Sequence, residues 1–249
     1  MSLNKWQAKF LIGAATLLPA APFLYVQSRI VRWKIGILPP AEGPSGVAGS
    51  GDRPARLLII GESTVAGLGA RTHEHALGGQ FALRLSEKID RAVHWTVIGK
   101  NGVTAHRTLV ELWPLVPDEK FDYILLGVGG NDVLKISSPK KWRRDMLGLL
   151  RVVREANPDA VIFITNCPMI KFSPVLPQPI KGLLWRLSTM HDANIREFTR
   201  GMERVYYYPQ PVDNEDWEGF WADGIHPSER GYRDWAKGMI DHFSTLHKW

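Results

Sequence analysis

The chain predicts an α/β domain, a parallel sheet covered by helices on both faces, and three observations carry that prediction. Its apolar runs are too short for helices and suit buried strands. Amphipathic stretches of helical period separate them. Small polar residues and glycines end each run, as expected where strands of a parallel sheet enter their loops.

The elements follow in order. Arg56–Ile60 (RLLII) is a first strand ending in Gly61, and Gly79–Ile89 a helix with apolar residues at 81, 82, 85 and 89. Val93–Ile98 is a second strand. Thr104–Trp113 is a second helix, its first residue a side-chain cap for the free backbone N–H groups. Phe121–Val128 is a third strand, followed by a helix over 139–156; Asp159–Asn166 is a fourth, followed by a helix over 180–203. Arg204–Tyr208 is a fifth strand, and Ser228 opens a last helix reaching His247. Five strands alternating with helices make one three-layer domain over residues 56–249, without internal repeats.

The amino terminus has a different character. Lys5 and Lys9 precede an uncharged run, Phe10–Ser28, followed by Arg29, Arg32 and Lys34, and no acidic residue occurs before Glu42. As a helix this run rises about 28 Å, close to the hydrocarbon thickness of a bilayer. It reads as a membrane anchor within residues 1–36, with a cleaved signal peptide and an interfacial or buried helix as the other readings. Pro19 and Pro22 argue against a straight helix. The flanking charges do not decide the membrane side; the extracytoplasmic face is preferred, with the cytoplasmic face open. The Pro-, Gly- and Ser-rich stretch Leu38–Pro54, within residues 37–55, reads as a linker.

Lys and Arg number 31 against 25 Asp and Glu, a net charge of +6. Five of the 31 lie in the first 34 positions with no acidic residue among them, leaving 26 basic against 25 acidic in the remainder. A nearly neutral body gives no electrostatic footprint for nucleic acid, and none is expected as a partner. The single cysteine, Cys167, excludes an intramolecular disulfide and any multi-cysteine metal site. Neither a cofactor nor a metal is expected. His73-Glu74-His75 lacks a third ligand at metal spacing, and the glycines at 61–67 and 127–130 lack phosphate-binding fingerprints.

Chemistry is expected where the strands end. Gly61-Glu62-Ser63-Thr64 follows the first strand, Asn101-Gly102-Val103-Thr104 the second and Gly129-Gly130-Asn131-Asp132 the third. Asp223-Gly224-Ile225-His226-Pro227 precedes the last helix. Ester hydrolysis needs a nucleophile, a base, a group orienting that base, and donors for an oxyanion. Ser63 suits the first role, His226 the second and Asp223, three residues upstream, the third. The backbone N–H groups of Ser63 and Gly102 and the Asn131 side-chain amide suit the fourth. Gly102 is read as a glycine because a side chain there would obstruct substrate.

Four blocks carrying Ser, Gly, Asn and His in this order resemble the SGNH hydrolases, the GDSL-type esterases and lipases, over about residues 56–245. The resemblance implies a flavodoxin-like α/β/α sandwich with a five-stranded parallel sheet. It also implies Ser63, Asp223 and His226 as catalytic residues, and Ser63, Gly102 and Asn131 as the oxyanion hole. The activity implied is that of a serine ester hydrolase on a small-molecule, lipid or carbohydrate ester. Acyl transfer from the same site, or a silent binding protein on the hydrolase fold, are the alternatives. The first block departs from the family: Glu62 stands where Asp is usual, and Thr64 where Leu is usual.

Three further features have structural and functional readings. Lys140, Lys141, Arg143 and Arg144 around Trp142 are a solvated helix face or a membrane-surface patch. Trp217, Phe220 and Trp221 pack the loop before Asp223 or line a substrate pocket. Lys171–Pro179 is a surface connection or a stiff flap beside the site.

Overall fold

A computed structural model describes residues 5–210 and 217–249. Its sheet has six strands: β1 (Ser45–Ala48), β2 (Ala55–Gly61), β3 (Val93–Gly99), β4 (Tyr123–Gly127), β5 (Val161–Ile164) and β6 (Val205–Tyr207). They lie in the order β1-β3-β2-β4-β5-β6. β2 through β6 pair in parallel, and their order is the doubly wound arrangement of flavodoxin-like folds. The strand order therefore reverses between β2 and β4, and the crevice opens there, beyond their carboxyl ends.

The period of two along each strand sorts its side chains into two layers. Leu57 and Ile59 of β2 join Leu125 and Phe163 against Phe81 and Leu85 of α3 (Leu77–Ile89) and Tyr232, Met239 and Phe243 of α8 (Glu229–Phe243). Leu58 and Ile60 turn to the other face, with Ile124, Leu126 and Ile162. There they meet Trp142, Met146 and Leu149 of α6 (Pro139–Ala156), and Ile195 and Phe198 of α7 (Ile180–Thr199). Ser138 and Ser228 cap α6 and α8, accepting from the N–H groups of Lys141 and Gly231.

Three expectations change. A sixth strand, β1, forms inside the stretch read as linker and pairs antiparallel with β3. It is invisible to hydropathy because backbone hydrogen bonds carry it, and because Gly46 lies where any Cβ would collide with the Trp95 ring. The helix expected over Thr104–Trp113 is three short pieces. α4 (Ala105–Arg107), capped by the Thr104 side chain, passes into a π turn, Thr108–Leu112, and then a 3₁₀ turn, Trp113–Leu115, containing Pro114. α7 stops at Thr199 and not at 203, because Arg200 is extended and Gly201 takes φ +86°.

The amino-terminal run is helical as α1 (Lys5–Leu17) and α2 (Ala21–Ile35), joined by a 3₁₀ turn, Leu18–Ala20. Pro19 and Pro22 each fall in the first turn of a new segment, where a missing N–H costs no bond. Lys5–Val31, 27 residues, is long and apolar enough to cross a membrane by length and composition. It runs antiparallel to α7. Near one end, Lys5 and Trp6 bond Glu197 and the Gln7 side-chain carbonyl accepts from the Lys140 backbone. Near the other, Gln27 bonds the Gln178 carbonyl and the Ile180 N–H, and Val31 is buried with Leu176, Leu184 and Leu187.

The basic cluster on α6 is largely engaged. Trp142 is fully buried, Lys141 and Arg144 pair with the buried Asp145 at 2.6 and 2.9 Å, and Arg143 lies over the Phe198 ring. Lys140 and Arg144 remain exposed and Lys141 and Arg143 partly so, as a solvated helix face would be.

His191 of α7 stacks on Trp142 at 5.1 Å, with Nε2 2.9 Å from the Ser137 carbonyl. The ring is therefore neutral with its proton on Nε2, and burial lowers its pKa to about 4. An unfolded chain takes up a proton here below pH about 6.5 while the folded one does not until about 4. Stability is full above the unfolded value and is lost as pH falls across that window, by about 3 kcal/mol. Urea unfolding at pH 7 and pH 5 checks this: the wild type should lose more stability between the two than His191→Gln does.

Candidate active site

The loop after β2 is shaped by close backbone packing. Gly61 takes φ +155°, and a Cβ there would strike the Gly127 carbonyl of β4. The Glu62 N–H then donates to Gly127 O at 2.9 Å, and the Glu62 carbonyl accepts from the N–H groups of Val65 and Ala66. Ser63 sits at the head of this turn, its hydroxyl facing the crevice between β2 and β4. A Cβ at Gly99, at the end of β3, would strike the Ala66 backbone, so β3 and the Ser63 loop also pack glycine to chain.

The loop carrying His226 is fixed from two directions. Ala222 N–H donates to His226 O and Ser228 N–H to Phe220 O, at 2.9 and 2.7 Å. The Tyr232 hydroxyl of α8 reaches back to the Leu68 carbonyl at 2.7 Å, tying the helix after His226 to the loop after Ser63. Asp223 Oδ1 accepts from the N–H groups of Ile225 and His226, at 2.9 and 2.7 Å. Its Oδ2 lies 2.8 Å from His226 Nδ1, and His226 Nε2 lies 3.1 Å from Ser63 Oγ. With Asp223 accepting, Nδ1 carries the proton and Nε2 faces the serine as an acceptor. Burial alone would raise the Asp223 pKa; the hydrogen bonds from the His226 side chain and backbone outweigh it, and the carboxyl lies below its ordinary range.

Glu62, next to the serine, is buried. Its Oε1 accepts from Gly130 N–H at 2.8 Å, and its Oε2 from both the N–H and the side-chain Nδ2 of Asn131, at 2.8 and 2.9 Å. Asn131 lies in α5 (Gly130–Leu134), the short helix at the tip of β4. One N–H of its amide is used by Glu62 and the second is available to the crevice. Burial raises the Glu62 pKa to about 7; the Asn131 and Gly130 N–H groups pull it down and the neighbouring Asp132 pushes it up. The longer side chain thus replaces the usual Asp while reaching the next strand's loop.

Gly102 lies at φ +79° in the loop after β3, and its carbonyl accepts from Lys135 Nζ at 2.6 Å and from Arg107 at 3.2 Å. A Cβ at this position would meet no atom within 4 Å. The left-handed backbone at this position favours glycine, and no protein atom crowds it. Asp132 joins this loop to that of Asn131 by accepting from the Ala105 N–H at 2.8 Å.

The structure thus gathers Ser63, Gly102, Asn131 and His226 around one cavity of about 1430 Å³, with Asp223 behind His226. Trp217, Phe220 and Trp221 all line it. The segment 171–179 packs on the same loop: Phe172 stacks on Trp217 at 4.5 Å, and Ser173 Oγ donates to the Gly224 carbonyl at 2.6 Å. His73 lies elsewhere, buried, its N–H on the Glu42 carbonyl. Among the described residues no group of three or more His, Cys, Asp or Glu is placed to hold a metal ion.

Two features of the site lie beyond what the residues in order reveal. The Glu62 clamp is visible there only as a departure from a pattern; its signal, an acidic residue beside the serine, says nothing of what it holds. The other is the amino-terminal helix, which forms one side of the cavity through Phe10, Gly13, Leu17 and Leu24. Its inward positions recur at three- and four-residue spacing, a pattern hidden because the opposite face is apolar as well.

Comparison with known proteins agrees with this geometry. Residues 59–233 match the GDSL-like lipase/acylhydrolase family. The chain is 23% identical over 172 residues to the thioesterase 1/protease 1/lysophospholipase L1 of Escherichia coli (strain K12), covering 69% of this chain and 75% of the relative. Among solved structures, the fold is similar to the lipase Lip_vut3 from a goat rumen metagenome (TM-score 0.62, 17% identity, 75% of this chain and 96% of the other). It is also similar to TesA (TM-score 0.59, 18% identity, 77% and 99%) and to a family 3 carbohydrate esterase of Clostridium thermocellum (TM-score 0.53, 16% identity, 79% and 100%). With the four blocks converging on one crevice of a doubly wound sheet, the chain belongs to the GDSL-like lipase/acylhydrolase family, the SGNH hydrolases, and is an enzyme of the serine-esterase class.

Proposed function

We propose that this protein hydrolyses a carboxylic ester through an acyl-serine intermediate, at a membrane surface reached through its amino-terminal helix. The observation that carries the reading is the unbroken relay of Asp223 Oδ2, His226 Nδ1, His226 Nε2 and Ser63 Oγ, at 2.8 and 3.1 Å. Ser63 Oγ attacks the ester carbonyl carbon while His226 Nε2 takes its proton. The oxyanion is held by the N–H groups of Ser63 and Gly102 and the free N–H of the Asn131 amide. Collapse expels the alcohol, protonated by His226, and leaves the acyl group on Ser63. Water then gives a proton to His226 and its oxygen to the acyl carbon, and Ser63 leaves with the proton. Asp223 keeps the imidazole in the acting tautomer and stabilises its cation.

Glu62 acts as a positioning residue in this scheme, because it holds the amide that meets the oxyanion. Residues 56–249 carry the catalytic machinery, and 37–55 connect it to the membrane-binding segment 1–36 while adding β1 to its sheet. Leu11, Ile12, Phe23, Val26 and Trp33 on the outer face of that segment support membrane binding, being apolar and exposed. The extracytoplasmic side is the preferred one, although Lys5 and Lys9 at one end and Arg29, Arg32 and Lys34 at the other leave the flanking charges nearly balanced. A reporter fused after Trp249 and active only in the cytosol would refute that side.

Ser63→Ala should abolish turnover of p-nitrophenyl esters, a loss on the order of 10⁴-fold or more in kcat, and should abolish labelling by a fluorophosphonate probe. Equal turnover by the variant would overturn the mechanism. Asn131→Ala, which removes one oxyanion donor, should lower kcat by about 10² to 10³-fold with a smaller change in KM. Glu62→Gln turns an amide NH₂ toward N–H groups that need an acceptor; kcat should fall by about 10-fold or more while KM moves less. A variant with unchanged kcat would remove Glu62 from the positioning role.

A further inference from the structure

The cavity at Ser63 is not a closed pocket of the body. It continues as a groove whose far wall is the amino-terminal helix. At about 1430 Å³ it exceeds the roughly 300–1,000 Å³ typical of sites for drug-sized ligands. Near the serine its lining is polar: Glu62, Asn131, Asn166 and His226. Away from the serine it is mostly apolar on both sides, with Lys9, Thr16 and Ser28 of the helix and Lys135 and Arg186 of the body among its lining. Phe10, Leu17 and Leu24 face it from the helix, and Ile170, Leu183 and Leu187 from the body.

Two observations make the helix part of the site and not merely a neighbour. First, it is held beside α7 near both ends by specific bonds, Trp6 to Glu197 and Gln27 to Gln178 and Ile180. It therefore stays along the groove, whereas a bare tether would stand clear of the body. Second, at the middle of its inward face stands Gly13, where an added Cβ would meet nothing within 4 Å. A glycine costs helix stability and here it is required by neither φ nor a close backbone; its effect is to keep the groove wide. The helix's other face is apolar and exposed, and so are Leu134 and Ile136 on the rim of the same cavity. The groove thus borders the surface most suited to contact a membrane.

We propose that the amino-terminal helix is a wall of the substrate site: the groove between it and the body holds the hydrocarbon chain of a long-chain acyl ester, and Gly13 sets the room available to it. The chain enters from the membrane side, and the ester carbonyl lies at Ser63 when the tail lies along α1 and α2. The proposal rests on the hydrolase reading above, and extends it by making residues outside the catalytic domain determinants of chain length.

The test uses full-length protein in detergent micelles, with p-nitrophenyl butyrate and p-nitrophenyl palmitate. Gly13→Trp and, separately, Ala14→Trp place an indole in the groove without touching the Ser63 loop. Expected is a fall of about tenfold or more in kcat/KM for the palmitate, with the butyrate within about twofold of wild type, the latter also reporting that the variants are folded. Loss of the two activities in equal measure by both variants, or no change in either activity, overturns the proposal. Absence of Ser63-dependent turnover of both esters in the wild type overturns the hydrolase reading itself, and the proposal with it.

Discussion

The buried carboxylate of Glu62 is the interaction on which the site's geometry turns. It stands at the tip of β2, one residue before Ser63, and accepts three N–H groups from the loop at the tip of β4. A doubly wound sheet splays its helices to opposite faces at this point, so no helix bridges the two tips. A buried carboxyl accepting three N–H groups does so instead, and in a buried place such bonds are strong because water does not compete for them. The carboxyl's near-neutral pKa is the cost of that placement, since burial works against its charge.

The opposite side of the crevice is set by packing at longer range. His226 and Ser63 are 163 positions apart, and the contact between Tyr232 and Leu68, 164 apart, brings them together. Tyr232 is fully buried in the layer that α3 and α8 build on the sheet. The histidine is thus positioned by the hydrophobic core through one hydroxyl, while the asparagine is positioned by a local hydrogen-bonded clamp. Catalytic loops on a rigid scaffold need both kinds of restraint, because loop backbone alone has few bonds of its own.

The amino-terminal helix illustrates how one composition serves two surfaces. Its outer face has the character of a membrane-binding helix, and its inner face lies against α7 and the groove. A helix apolar all round is stable only where both sides are removed from water. The body covers one side, and in the proposed membrane-bound state lipid would cover the other without carrying the helix away from the sheet domain.

Much of this was legible in the residues. The five parallel strands and their helices follow from run length and period, and the blocks at 61–64, 101–104, 129–132 and 223–227 stand at strand ends or before the last helix because turn chemistry and capping demand small polar residues there. The family follows from those same blocks. Strand β1 was not legible, since backbone pairing leaves no hydropathy pattern, and neither was the break of the second helix into three short pieces. The partner of Glu62, the reach of Tyr232 to Leu68, and the inward face of the amino-terminal helix emerge only on folding. Each joins segments far apart in the chain, and distance along a sequence carries no record of which side chains meet. Residue order alone established which chemistry is present and where along the chain it falls; the folded sheet settled which groups touch, because only packing converts that order into a crevice.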